Sequence, residues 1–426
     1  MPALRVLYDI SGLGVGHIAI HGRAGSHRVD QHLAELLAAS ADCQLLFCAN
    51  QSSLAWQGCI DFLREHPALA HVPLLEPPAS WLTRRLRGAV VATHRRLKVR
   101  QAGRALPGLV RGGGVLLDAR VHRPVVDATP PVDVLHSGTT PLPPAPRGRG
   151  PRRFLTIFDL RAGRADASPH EIAHEQALVA SIRDGDTIFT SSESTRRELC
   201  ARGIAAADRI VVVPLAADPL VFRPATADAA DVANDAAIRR RLAVLEGPYV
   251  LVLDSPQPRK NIARAVDAFA ALVQQESIRD LVLVLAGGHT GADGADTIEA
   301  RHPSLRARVV RTGLVSDAEL SALYRGALCF VYPSLYEGFG LPPLEAMQCG
   351  TPVITADTSS LPEVVGDAGL MVDPLDVDAF AAAMLALWRD EAGRAAARAR
   401  GLIQASRFSW ARVLASTLDA YRAPAR

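Results

Sequence analysis

Lysine is almost missing from this chain. Of 47 basic residues in 426, only Lys98 and Lys260 are lysines. Such a bias follows coding composition, so a single arginine carries little information and a lysine carries somewhat more. Charge of one sign is also lacking. The formal net charge is +3, too small for bulk attraction to nucleic acid. No apolar run approaches 18 residues, the length a membrane-spanning helix needs. The opening "MPALRVLYDIS" reaches an acidic residue quickly and reads as a first strand, not as a signal peptide. The six cysteines, Cys43, Cys48, Cys59, Cys200, Cys329 and Cys349, form no Cys-x2-Cys pair. Buried thiols in a reduced, cytoplasmic protein fit them better than zinc or disulfides.

What is present is apolar. Hydrophobic residues make up 49% of the chain, enough for large cores, and the length favours two domains. The second half alternates strands and helices. Strands are expected at Tyr249–Leu253, Leu281–Ala286, Val309–Thr312, Leu328–Tyr332, Val353–Thr355 and Leu370–Val372. Alternation of this kind implies a parallel sheet covered by helices on both faces. The first half has the same character, with strands near Arg5–Ser11, Cys43–Asn50, Val132–Gly138, Arg153–Leu160, Asp186–Ser192 and Arg209–Leu215. The stretch "AADPLVFRPATADAADVANDAAIRR" between the halves is weakly patterned and reads as a linker.

The most informative stretch follows the strand ending at Tyr332. Gly338 and Gly340 permit a tight turn, Pro342 suits a first helical turn, and Gly350 with Pro352 ends the helix. Strand, glycine turn and helix start make an anion site from backbone N–H groups. Glu337 in the turn and Glu345 about one turn into the helix do not suit a phosphate. They suit sugar hydroxyls, for which a carboxylate is a strong acceptor. Either glutamate alone reads as a solvated acid; with the glycines, the pair reads as a nucleotide-sugar site. After the strand Tyr249–Leu253, Arg259 and Lys260 stand where a loop meets a helix, as a diphosphate would require. The plainer reading is a solvated basic turn.

Glu-x7-Glu within "SLYEGFGLPPLEAMQCGTPVI" resembles the donor signature of retaining GT-B glycosyltransferases of the GT4 class. "SSLPEVVGDAGLMVDP" and "PRKN" are similar to the same proteins. The resemblance is strongest from Tyr249 to Pro374, and the whole chain looks closest to bacterial mannosyltransferases of surface polysaccharides. It implies an α/β, GT-B architecture, two Rossmann-like doubly wound parallel-sheet domains facing an interdomain cleft. Residues 1–218 would hold the acceptor and 219–405 the nucleotide sugar, while 406–426 would cross back onto the N-terminal domain. It implies transfer of a hexose with retention, from GDP-mannose or another nucleoside diphosphate sugar, to a glycan or polyprenyl-diphosphate-linked acceptor. No metal or other cofactor is expected. Glu337, Arg259 and Lys260 would be catalytic. Glu345, Gly338, Phe339, Gly340, Leu341, Gly25 and Gly287 would bind the donor.

In the N-terminal half, Gly12–Gly16 reads as the start of a glycine loop facing the donor phosphates, with a helix from about Ser26. "AGSHRV" is similar to the family's helix start at Gly25, Arg28 and Val29, and departs from it at Ser26 and His27. His136, Asp159 and Arg28 are candidates for the cleft. The family's strand commonly ends in His-Asp, and Phe158 stands here in place of the histidine. His136 either substitutes for it or is a structural histidine. His170-Glu171-Ile172-Ala173-His174 fits the metalloprotease pattern by letter, but its place between two sheet strands makes a chance match the better reading. The basic segment 84–104 reads either as a membrane-surface helix, placing the protein at the inner face of the cell membrane, or as a solvated face. A Rossmann oxidoreductase is the rival class, disfavoured because the second strand ends in Ala49 and Asn50 with no acid. A non-catalytic nucleotide-sugar or glycan-binding protein is the third reading.

Overall fold

A computed structural model describes residues 2–18, 25–76, 131–144, 150–226, 228–244, 247–276, 278–288 and 301–424. The basic segment 84–104 lies outside the described residues. Two six-stranded sheets, all of whose pairings are parallel, divide the chain.

The first sheet has the order β2-β1-β3-β4-β5-β6. Its strands are β1 (Leu4–Asp9), β2 (Cys43–Cys48), β3 (Val134–Ser137), β4 (Arg152–Thr156), β5 (Thr187–Thr190) and β6 (Ile210–Val212). The second has the order β12-β11-β10-β7-β8-β9. Its strands are β7 (Tyr249–Leu253), β8 (Val282–Ala286), β9 (Val309–Gly313), β10 (Cys329–Tyr332), β11 (Val353–Ala356) and β12 (Leu370–Val372). In each sheet the order reverses beside the first strand, between β1 and β3 and between β7 and β10. A crevice opens at such a point beyond the carboxyl ends of the strands, and ligands of doubly wound sheets bind there.

Both faces of each sheet are buried, as continuous apolar strands require. Along β7, Tyr249 and Leu251 enter one core while Val250 and Val252 enter the opposite one. Val6 and Tyr8 of β1 likewise face one core and Leu7 another. Each fully buried Leu or Phe contributes about 1.5–3 kcal/mol of transfer free energy.

Among the described residues, the helices of the first half are α1 (Ser11–Ile18), α2 (Gly25–Ala39), α3 (Ser53–Glu65), α4 (Pro169–Ser181) and α5 (Glu193–Ala201). Those that follow are α6 (Ala229–Arg241), α7 (Ile262–Gln275), α8 (Asp317–Gly326), α9 (Leu341–Gln348), α10 (Leu361–Val365), α11 (Val377–Arg389), α12 (Glu391–Ala405) and α13 (Trp410–Arg422). Ser316 and Glu319 make a capping box on α8, and Ser409 caps α13.

Two expectations are corrected. Gly12–Gly16 is not a loop but lies within α1. A Cβ at Gly14 would sit 2.2 Å from the Ala55 carbonyl oxygen, and one at Gly12 2.0 Å from Thr139 Oγ1. These glycines let α1 pack closely on α3 and on the loop after β3. The second half of the supposed linker is helix α6, where Asp228 caps an alanine-rich run and Arg325 ion-pairs the buried Asp235 at 2.5 Å. Alanine's helix propensity and that one buried anchor outweigh the weak pattern.

Helix α13 joins the first sheet's core. Val413, Leu418 and Tyr421 pack with Val6, Tyr8 and Phe154, and Arg152 donates to the Tyr421 carbonyl at 2.7 Å.

Candidate active site

The site is built where the two switch points face each other. Beyond β7 a short helical turn, Pro258–Lys260, presents two cations. Asn261, at a left-handed φ of 56°, donates its side-chain amide to the carbonyls of Pro333 and Pro374. The Arg259 carbonyl accepts from Leu335 N–H at 2.7 Å, fastening this turn to the loop after β10.

That loop carries Glu337, which is 8% exposed. One carboxylate oxygen, Oε1, accepts from four donors. They are Lys260 Nζ at 2.7 Å, Arg259 Nη1 at 3.0 Å, Tyr332 Oη at 2.8 Å and Ser334 Oγ at 2.6 Å. Burial alone would raise the carboxyl pKa, but Lys260 and Arg259 overcome it and hold it at about 2. Burial also draws the Lys260 ammonium below the usual lysine range, against the pull of Glu337. Both cations also feel Asp159, from the N-terminal half.

Gly340, at φ 117°, precedes α9, and no side chain caps that helix. Pro342 and Pro343 lack N–H groups, so Leu341 supplies the amide at the first helical position. Ser360 Oγ braces the loop from behind, donating to the carbonyls of Glu337 and Phe339, while Ser359 Oγ accepts from Glu337 N–H. The start of α10 thus supports the loop that carries Glu337.

A cleft of about 410 Å³ brings most of the expected residues together. Gly25, Arg28 and Asp159 line it from the N-terminal half, and Arg259, Lys260 and Glu337 to Leu341 from the C-terminal half. Burial raises the Asp159 carboxyl, with Glu337 adding to the effect and Arg259 and Arg161 opposing it. Glu345 lies in an adjoining cavity of about 180 Å³ that Arg28 and Leu341 also line. Arg28 reaches across from α2, 2.8 Å from Glu345 Oε1 and 3.3 Å from Asp317. The second oxygen, Oε2, is buried without a hydrogen bond. Burial raises this carboxyl's pKa and Arg28 opposes the rise.

Two candidates fall elsewhere. His136 is not in the cleft. It is fully buried, bonded to Tyr421 Oη at 2.5 Å and Thr156 Oγ1 at 2.8 Å, and burial lowers its pKa to about 3. It is a neutral structural histidine, since its strand ends beneath α13. Gly287 is a packing position, where a Cβ would stand 2.3 Å from the Asp254 carbonyl oxygen at a φ of 149°. In the His-Glu-x-x-His stretch, Glu171 closes the capping box of α4 with Ser168.

Several participants escape sequence reasoning. Tyr332 and Ser334 flank Glu337 closely enough that their hydroxyls were findable as its donors. Tyr336 was not findable, because its partners are far away in the chain. Its hydroxyl accepts from Leu160 N–H at 3.0 Å and donates to Glu198 at 2.8 Å, and the Arg164 guanidinium lies 3.2 Å from its ring centre. Gly338 also has an unforeseen reason. A Cβ there would be 2.1 Å from the Phe158 carbonyl oxygen, across the domain boundary.

Residues 234–404 match the family described as "Glycosyl transferases group 1". The chain is 38% identical over 248 residues to O-antigen chain mannosyltransferase B of Escherichia coli, covering 58% of this chain and 63% of that one. It is 35% identical over 178 residues to the serotype-specific mannosyltransferase WbdA of Escherichia coli, covering 42% of this chain and 22% of the relative. This chain therefore spans less than two thirds of either relative. Among solved structures, HepE of Anabaena in complex with UDP and glucose superposes with a TM-score of 0.64 at 15% identity, covering 98% and 99% of the two chains. Sucrose-phosphate synthase of Thermosynechococcus elongatus gives 0.63 at 19%, covering 98% of each. The protein has the GT-B fold, and the residues that match the group 1 glycosyl transferase family include Arg259, Lys260, Glu337 and Glu345.

Proposed function

We propose that this protein is a retaining glycosyltransferase that moves a hexose, mannose first among them, from a nucleoside diphosphate sugar to a glycan or lipid-linked acceptor. The observation that carries the reading is the convergence of Arg259, Lys260, Tyr332 and Ser334 on one oxygen of Glu337, beside an uncapped helix start. Arg259, Lys260 and the Leu341 amide would hold the diphosphate and stabilise it as it departs, with fixed charge and no metal. Glu337 would accept from the hexose hydroxyls, and Glu345, once Arg28 yields, from the ribose. The bond between the anomeric carbon and the diphosphate oxygen breaks. The acceptor hydroxyl bonds to the same face, and its proton passes to the departing diphosphate. Asp159 and Arg28 lie on the N-terminal wall, where residues 1–218 would receive the acceptor.

Mannose is favoured because both Escherichia coli relatives are named mannosyltransferases. Among the described residues no helix is long and apolar enough to cross a membrane. A lipid-carried acceptor would then be met at the inner membrane surface, through the basic segment 84–104. Thermal-shift screening against GDP- and UDP-sugars tests the reading. A true donor at a hundred times its Kd should add about 2.7 kcal/mol of stability; no shift with any of them would refute it.

A further inference from the structure

We infer that Tyr336 is a positioning residue that sets the donor loop against the acceptor wall, so that the domains must be docked before transfer can proceed. The inference rests on the donor-site reading above and adds a residue that does not line the cleft.

The geometry is two-sided. Tyr336 precedes Glu337, and its carbonyl accepts from Arg259 Nη1 at 3.0 Å, within the C-terminal domain. Its side chain leaves that domain. The hydroxyl takes the Leu160 N–H and gives its proton to Glu198, a carboxylate that also accepts from Arg164 Nη2 at 3.0 Å. Leu160 follows Asp159. The rest of that turn is fixed from its own domain, since the N–H groups of Arg161 and Ala162 both donate to Glu175 of α4. One phenol thus joins the turn bearing Asp159 to the loop bearing Glu337. Nearby contacts follow the same line. Ser191 Oγ donates to the Gly338 carbonyl at 3.0 Å, and a Cβ at Gly338 would lie 3.0 Å from Asp159 Cβ.

Separation of the domains would remove every partner of the Tyr336 hydroxyl and leave its backbone untouched. The Arg259, Lys260 and Glu337 cluster lies entirely in the C-terminal domain and would survive. Nucleotide binding and transfer therefore depend on Tyr336 to different degrees. A small misplacement between two reacting walls lowers the rate far more than it lowers binding.

The test compares Tyr336→Phe with the wild type by GDP and UDP calorimetry, turnover of GDP-mannose and UDP-glucose, and hydrogen exchange. The phenylalanine variant should bind the diphosphate within about twofold of wild type and lose about tenfold in kcat, a 1.4 kcal/mol effect. The peptide containing Leu160 should exchange faster. Arg164→Leu removes the cation over the ring, a donor to Glu198 and a donor to the Leu160 carbonyl but keeps the hydroxyl, and should lose less in kcat; it serves as the second variant if the first is recovered unfolded. Unchanged kcat, or unchanged exchange at Leu160, would overturn the inference. So would a parallel loss of kcat and diphosphate affinity, the mark of general loosening. If the wild type binds neither diphosphate, the donor-site reading fails and takes this inference with it. If the wild type binds and only the variant result disagrees, this inference fails alone.

Discussion

Glu337 and Glu345 stand eight positions apart on the same strand–loop–helix unit, and the structure treats them in opposite ways. Glu337 is met by four donors, and its pKa is held at about 2. Glu345 is met by one cation from the other domain, its pKa is raised, and one of its oxygens is buried without a partner. The first acid is organised by its own domain before any ligand arrives. The second is under-satisfied, and its partner can be withdrawn by movement between the domains. A buried acceptor left unbonded costs about 1–3 kcal/mol, which a ribose hydroxyl could recover.

The sharpest way to break this contrast is at Glu337. Glu337→Gln and Lys260→Ala should each lower turnover about a hundredfold or more, near 2.7 kcal/mol of barrier, measured with whichever donor the thermal screen identifies. Glu337→Ala is the poorer probe. Both substitutions remove the anion between Arg259 and Lys260, but alanine also removes the oxygen that accepts from Arg259, Lys260, Tyr332 and Ser334, which glutamine keeps. Near-wild-type turnover in both chosen variants would remove the catalytic roles proposed for them.

Glu345→Gln should behave differently. The donor KM should rise about tenfold, near 1.4 kcal/mol, with little change in kcat, because a ribose contact is present equally in ground and transition states. A kcat loss as large as that of Glu337→Gln would erase the distinction.

The pH dependence of stability probes the same contrast. The Glu337 pKa of about 2 lies below the ordinary 4.5. Its share of stability is full above pH 4.5 and is lost as the pH falls through about 2. The raised Glu345 pKa acts with the other sign. It weakens the fold at neutral pH, and the loss is relieved as the pH falls through the raised value toward 4.5. Urea titrations should therefore show wild type and Glu337→Gln converging from pH 4.5 to 2, and Glu345→Gln lacking the mild gain on acidification. Parallel curves for the two variants would count against the assigned environments.

The fold was largely legible because strand content and sheet parallelism are written locally. The apolar runs at Tyr249–Leu253 and Leu328–Tyr332 become β7 and β10 with bounds shifted by at most one residue. The meeting of Arg259 and Lys260 with Glu337 followed from the topology of a doubly wound sheet, which sets the loops after β7 and β10 side by side. The rest depended on contacts between distant segments. His136 sat at a strand end, where the sequence offered no sign that α13 would cover it. Tyr336 finds Glu198 across 138 positions, and no local pattern encodes such a pairing. Gly12 and Gly14 read as loop residues because close helix packing and tight turning both ask for the smallest side chain.

Helix α13 has one further consequence. The polypeptide passes between the halves twice, outward after β6 and back between α12 and α13, where Trp410 packs against both cores. A body tied at two points swings readily about the line through them and resists turning about any other axis. Opening and closing should therefore follow one repeatable arc, like a book on its spine, and deleting residues 406–424 would uncover the floor of the first half as well as cut the second tether.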